Sequence, residues 1–230
     1  MKPPRYHRMF DYDRNLLPNA HLRRLEEGVT SIGQAREKSR WTIGYPGWGM
    51  IYHLLLCHLN REREEHILET GANEGCTTIV IAQALLDSGC KGMLHSIELD
   101  EQFAEKAEAN LKAANVSDRA RIYRGHSHKV MPGLLDEIAP ANRPLRVAFL
   151  DASHLYEDVM GEFELVLPHL SDDAIVLFDN TYCIAEEGED QRVNGALKTI
   201  ISRHGGNLIN LEFVSWYTPG LAIWQRKPKL

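Results

Sequence analysis

From about residue 66 to the C-terminus, apolar runs of strand length alternate with segments whose apolar residues recur at three- and four-residue spacing. That alternation is the signature of a parallel sheet wrapped by helices. The runs His66 to Glu69, Met93 to Glu98, Arg121 to Arg124, Arg146 to Leu150 and Ala174 to Phe178 predict strands. Between them Thr77 to Ser88, Glu101 to Ala114, Tyr156 to Leu170 and Gly195 to His204 predict helices on the sheet faces. Leu208 to Val214 and Leu221 to Gln225 are separated by the turn-rich Tyr217-Thr-Pro-Gly220, too short for a helical crossover, so they predict an antiparallel hairpin. The expected fold class is α/β, mostly parallel, closing with a reversed strand.

Ahead of this region Ala20 to Ser39 alternates charge and leucine as a surface helix does. Gly49 to Leu59 is an apolar helix entered through Gly44-Tyr-Pro-Gly-Trp-Gly49. These helices are expected to cap the open end of the sheet, giving a helical extension over 1–65 and a sheet domain over 66–230. The sequence contains no internal repeat or low-complexity tract.

The apolar and charged fractions of the 230 residues, 43% and 25%, are those of a globular protein with one sizeable core. No segment supplies the roughly 18 apolar residues of a spanning helix, so no membrane partner is expected. A net charge of -6 with interspersed signs lacks the basic field that draws phosphate backbones, which argues against nucleic acid. Cys57, Cys76, Cys90 and Cys183 form no CxxC pair and fit a cytoplasmic, reducing setting. Nothing encodes an assembly, and a homodimer stays open.

Ligands of an open parallel sheet bind beyond the carboxyl ends of its strands. The first such turn is Glu69-Thr-Gly71-Ala72-Asn73-Glu-Gly75, leading into a helix at Thr77. Gly71 can take backbone angles closed to other residues, Gly75 lets a ligand approach the chain, and the helix offers free N–H groups to a carboxylate. The spacing is G-x-x-x-G, not the G-x-G-x-x-G of dinucleotide enzymes. Glu69 ahead of the turn would repel a pyrophosphate and attract an amino group. Glu98 closes the second strand, where a carboxylate can accept from both hydroxyls of a ribose. Two consecutive strand ends therefore suit an adenosine.

Leu68-Glu69-x-Gly71-Ala72-x-x-Gly75-x-Thr77 resembles the first motif of class I S-adenosylmethionine-dependent methyltransferases, in particular the catechol O-methyltransferase-like branch. The resemblance runs from about residue 66 to the C-terminus. It implies a seven-stranded, Rossmann-like sheet with a reversed final strand, in agreement with the hairpin. It also implies that the turn, including Ala72 and Asn73, binds S-adenosylmethionine. By this likeness Glu69 meets the methionine amino group, Thr77 its carboxylate and Glu98 the ribose. Gly125-His126-Ser127 would border the adenine, with His126 standing where the family has a small or acidic residue.

The fourth and fifth strands end in Asp151-Ala-Ser-His154 and Asp179-Asn180. Two carboxylates and an amide oxygen converging there would make an all-oxygen site suited to Mg²⁺, Ca²⁺ or Mn²⁺. The spacing resembles the metal triad of divalent-cation-dependent O-methyltransferases, which places a metal on Asp151, Asp179 and Asn180. Asp151 is expected to serve catalysis and the cofactor as well. In that family a lysine commonly stands three residues after the first Asp; here it is His154, whose ordinary pKa of roughly 6.5 suits a proton acceptor. A cation lowers the pKa of an oxygen it coordinates, and two adjacent hydroxyls would chelate it, so the expected acceptor is a catechol or another vicinal diol.

Other readings remain open on sequence alone. Asp151, Asp179 and Asn180 are also residues that form turns and caps, leaving a metal-independent methyltransferase with His154 as base, or a nucleoside-binding module without catalysis. His126 and His128 could ligate a metal or simply be surface residues. Tyr45, Trp48 and Tyr52 could wall an acceptor pocket or pack in the core. The acidic run Glu186 to Asp190 reads as a covering loop or a solvated one.

Overall fold

The computed structural model describes residues 13–38, 42–181, 192–211 and 220–227. Within them, the strands are β1 (Glu64–Thr70), β2 (Lys91–Glu98), β3 (Ala120–Arg124), β4 (Leu145–Leu150), β5 (Leu170–Asp179), β6 (Asn207–Leu211) and β7 (Leu221–Gln225). They form one seven-stranded sheet in the order β3-β2-β1-β4-β5-β7-β6. The β3-to-β5 portion is parallel, whereas β7 runs antiparallel to both β5 and β6. The reversed strand is thus the last in sequence but not the edge, because the hairpin inserts β7 beside β5 and leaves β6 outermost. The expected run to Val214 continues beyond Leu211 into residues outside those described.

The helices are α1 (Ala20–Leu25), α2 (Ile32–Lys38), α3 (Gly47–His58), α4 (Cys76–Ser88), α5 (Glu101–Ala113), α6 (Ser127–Ile138), α7 (Tyr156–Val166) and α8 (Arg192–His204). Successive residues of a strand point to opposite faces, and here both faces are covered. Ile67, Phe149 and Leu177 enter a core shared with α3, α4 and α5. Their neighbours Leu68, Ala148 and Val176 enter a second core built with α6, α7 and α8. This double burial explains why the central strands are near-continuous apolar runs.

Three local expectations change. The single surface helix over Ala20 to Ser39 is instead two short helices, α1 and α2. The chain turns at Gly28 with φ of 73°, a left-handed conformation that glycine tolerates, and Ser31 restarts the helix by accepting from the Gln34 N–H at 3.3 Å. α6 was not anticipated because Pro132 lies inside it and removes a backbone donor, yet Met131, Leu134, Leu135 and Ile138 are all buried at helical spacing. The helix beginning at Tyr156 ends at Val166, and a short 3₁₀ turn (Leu167–His169) carries Pro168 into β5, which starts earlier than expected.

The segment before β1 is tied into the same packing. Leu17, Leu22, Ile43, Trp48, Ile51 and Leu55 are buried in the core that contains Val147 and Ile175. Asn19 fixes its start by donating to Gln83 Oε1 at 2.7 Å and to the Ala114 carbonyl at 3.1 Å. None of the described helices is long and apolar enough to cross a membrane.

Candidate active site

The chain leaves β1 toward one edge of the sheet through β2 and β3, then returns to place β4 on the other side of β1. Such a switch in direction opens a crevice above the strand ends. Gly71 sits at its centre with φ of 82°, and a Cβ there would collide with the backbone of Asp151 and Ala152. Glycine at this position lets the turn after β1 and the end of β4 lie against each other. The Asp151 N–H donates to the Thr70 carbonyl at 3.1 Å, and the Gly71 N–H to the Ile97 carbonyl at 2.8 Å, so three strand ends are stitched together.

Gly75 has a packing role beside the one read from sequence. With φ of 84° it caps α4, and its missing Cβ would lie 3.0 Å from Ala107 Cα, so the space belongs to α5 packing against the turn. Asn73 also takes a left-handed conformation (φ 51°), and its N–H donates to Glu98 Oε2 at 2.6 Å. The other oxygen of Glu98 accepts from the Asp100 N–H at 2.9 Å. Glu98 thereby holds the turn and the end of β2 in register, and each oxygen keeps a lone pair for a further donor.

Glu69 is fully buried beneath the turn. Its Oε2 accepts from Thr78 Oγ1 at 2.7 Å and Ser96 Oγ at 2.5 Å, while Oε1 has no hydrogen-bond partner. Burial pushes its pKa up to about 7, reinforced by the charge of Glu98 and opposed by the two hydroxyl donors. An orphaned carboxylate oxygen of this kind fits a cationic donor such as an ammonium group. Thr77 is buried, and its hydroxyl accepts from the Trp48 indole at 3.3 Å. Trp48 is therefore a core residue under the start of α4, and Tyr52 bonds Asp87 at 2.7 Å far down that helix. Tyr45 is half-buried against the same core.

After β3, His126 caps α6 by accepting at Nδ1 from the His128 N–H at 3.3 Å and is itself exposed, while Ser127 is buried. The His128 ring turns to the Asp158 carbonyl of α7, 3.1 Å away. Neither histidine joins a metal-ligand group among the described residues.

The ends of β4 and β5 do come together. Asp151, His154 and Asp179 bring ligand atoms within 4.8 Å of one another, the one such group of three among the described residues. Asp179 is 2% exposed, and Asn180 follows it with φ of 54°, a left-handed turn that asparagine accepts more readily than most residues. The Asn180 amide lies 2.8 Å from His154 Nε2, and that nitrogen lies 3.4 Å from Asp151 Oδ1. All four side chains expected from sequence thus meet at one point. Burial first, and then the nearby charge of Glu69, raises the Asp151 pKa well above the carboxylate range; burial and Asp151 do the same for Asp179. Two acids this close, Asp179 buried and Asp151 partly so, resist sharing negative charge, and a hard divalent cation relieves that opposition. The oxygen-rich donor set fits one. Burial lowers the His154 pKa, which leaves the imidazole neutral and able to take a proton near pH 7.

Residues 68–181 match the family model described as a methyltransferase domain. That stretch is a methyltransferase domain. The match begins in β1 and ends just past Asn180, so it spans every strand end described above. Solved structures share the fold of this methyltransferase. The O-methyltransferase from Bacillus cereus in complex with SAH is 19% identical with a TM-score of 0.71, over 95% of this chain and 93% of that one. The O-methyltransferase TomG from Streptomyces achromogenes, involved in tomaymycin synthesis and in complex with SAM, is 21% identical with a TM-score of 0.70, over 91% and 90%. No curated protein matches the chain in sequence.

Sequence reasoning missed Thr78, Ser96 and Glu162. Thr78 and Ser96 fall on buried faces and look like ordinary small polar fillers. Glu162 left a signal, an acid on the apolar face of α7 between Val159 and Val166.

Proposed function

We propose that this methyltransferase transfers the methyl group of S-adenosylmethionine to a hydroxyl of a small molecule, with a hard divalent cation held by Asp151, Asp179 and Asn180. The observation that carries the proposal is the convergence of Asp151 and buried Asp179 at the ends of β4 and β5, with neutral His154 beside them. The SAH and SAM complexes of the two similar structures support the cofactor.

S-adenosylmethionine would supply a methyl group on a sulfonium, a carbon that an oxygen nucleophile attacks in line while S-adenosylhomocysteine leaves. A cation held by Asp151, Asp179 and Asn180 would supply Lewis-acid chemistry, lowering the pKa of an acceptor hydroxyl. Glu69 accepts the amino group at its unpartnered Oε1, Glu98 takes the ribose hydroxyls, and Thr77 and the start of α4 receive the carboxylate. Ser127 and exposed His126 border the adenine. His154 accepts the hydroxyl proton at Nε2, so that the C–S bond breaks, the O–C bond forms, and the crevice need only align three atoms. A vicinal diol such as a catechol matches a cation with open positions.

The test is turnover of a catechol panel followed as S-adenosylhomocysteine release. EDTA should abolish it and Mg²⁺ or Mn²⁺ restore it, while Asp179→Asn lowers kcat by about a hundredfold or more and leaves S-adenosylhomocysteine affinity within about threefold. Turnover indifferent to EDTA would instead select transfer without a metal, with His154 as the base.

A further inference from the structure

Glu162 lies in the middle of α7, 1% exposed, on a helix face otherwise made of Val159, Phe163 and Val166. Burying an acid among apolar side chains costs free energy unless hydrogen bonds repay it. Here the repayment comes from the strand ends. Thr70 at the end of β1 donates its hydroxyl to Glu162 Oε2 at 2.9 Å, and that same Thr70 oxygen accepts from the Asp151 N–H at 3.2 Å, a proton it shares with the Thr70 carbonyl at 3.1 Å. The hydroxyl of Ser127 at the start of α6 stands beside the same carboxyl. Oε1 is buried without a partner.

A threonine hydroxyl rotates freely unless something claims its hydrogen. Glu162 claims it from below, which turns the oxygen lone pair toward the Asp151 N–H above. Asp151 then begins the loop that carries its own carboxylate and His154, and its backbone is packed so closely on Gly71 that no Cβ fits between them. One carboxyl therefore adds, through Thr70, a second hold on the place where the turn after β1 and the loop after β4 rest against each other.

We propose that Glu162 is a positioning residue for the methyl-transfer site, acting through Thr70 to set the backbone of Asp151 and hence the placement of its carboxylate against Asp179. The role rests on the reading of Asp151 as a cation-holding residue. Groups that orient ligating side chains typically change metal affinity by roughly 10- to 100-fold when removed.

The experiment compares Glu162→Gln, Glu162→Leu, Thr70→Val and the double variant Thr70→Val/Glu162→Leu in the full chain. The readouts are Mn²⁺ affinity, S-adenosylhomocysteine affinity, amide hydrogen exchange at Asp151 and catechol turnover. Glu162→Leu and Thr70→Val should each weaken Mn²⁺ binding and lower kcat by about tenfold, with the KM for S-adenosylmethionine within about threefold. The Asp151 N–H should exchange about tenfold faster in both variants even without metal or cofactor. Glu162→Gln keeps an acceptor oxygen for Thr70 and should stay within about threefold of the unaltered protein. The double variant should lose no more than either single, because both remove one linkage.

Unchanged Mn²⁺ affinity and Asp151 exchange in folded Glu162→Leu would overturn the proposal, as would single losses that simply add. Should Glu162→Leu fail to fold, near-isosteric Thr70→Val decides alone by the same readouts. If the unaltered protein binds S-adenosylhomocysteine but neither Mn²⁺ nor Mg²⁺, the functional reading fails separately; the exchange rate of Asp151, measured without any ligand, still reports on the linkage.

Discussion

At Glu69 a full desolvation cost and an unpartnered oxygen coincide, and the result is a carboxyl with a pKa of about 7 in the free protein. A methionine ammonium at Oε1 requires the ionised form, so binding below that pKa must expel a proton. Cofactor affinity should therefore be flat above pH 8 and fall as pH drops, by up to about tenfold per unit below pH 7. Calorimetric titration with S-adenosylmethionine from pH 8.5 to 5.5 checks the slope. Glu69→Gln should bind about 10- to 100-fold more weakly and lose the pH dependence, since a charge-assisted hydrogen bond is worth about 1.5–3 kcal/mol. A pH-independent affinity in the unaltered protein would remove Glu69 from the ammonium site.

Between elements, β1, β2 and β3 are joined by a buried polar chain that the proposed chemistry does not use. His66 Nδ1 lies 2.8 Å from His95 Nε2, and His95 Nδ1 lies 2.9 Å from the Tyr123 hydroxyl. Burial lowers the pKa of His95 to about 3 and also lowers that of His66, so both rings are neutral in the folded protein. A base with a depressed folded pKa contributes stability that is fully present above its unfolded value and is lost as pH falls toward the folded one. The contribution of this pair should therefore be lost steadily on acidification below about pH 6.5, His95 alone accounting for on the order of 2 kcal/mol by pH 5, while the raised pKa values of Glu69, Asp151, Asp179 and Glu162 act with the opposite sign. Urea unfolding at pH 7.5, 6 and 5 measures this, and His95→Gln should flatten the profile even if it lowers stability at neutral pH. An identical profile in both proteins would place the acid sensitivity elsewhere.

Over the whole molecule, the segment before β1 and the sheet share one core. Trp48 fills space beneath α4 and donates to Thr77, while Ile51 and Leu55 pack in the cluster that holds Phe149 and Leu177. Replacing Trp48 by Ala should cost about 3–5 kcal/mol, typical of a large aromatic removed from a core. A chain starting at residue 66 should lose its cooperative thermal transition, as seen by circular dichroism and calorimetry. A cooperative transition in that shortened chain would establish 66–230 as a unit that folds without its extension.

The sequence by itself determined the seven strands and their parallel sense, because double burial demands apolar runs and a short linker forces a hairpin. It also determined which strand ends carry chemistry, since Gly71, Glu98, Asp151, Asp179 and Asn180 stand immediately after such runs. It misjudged Ala20 to Ser39, where Gly28 breaks a pattern that charge alternation alone could not, and passed over α6, where Pro132 masked a sound apolar spacing. Only the tertiary structure decided how those strand ends meet: that Gly75 yields to α5, that Trp48 belongs to the core, that Glu69 keeps one oxygen bare. The same is true of Glu162, whose hydrogen bond to Thr70 spans 92 positions of the chain. Periodicity records which way a side chain faces along its own element, whereas partners distant in sequence are fixed by packing, and no local pattern encodes them.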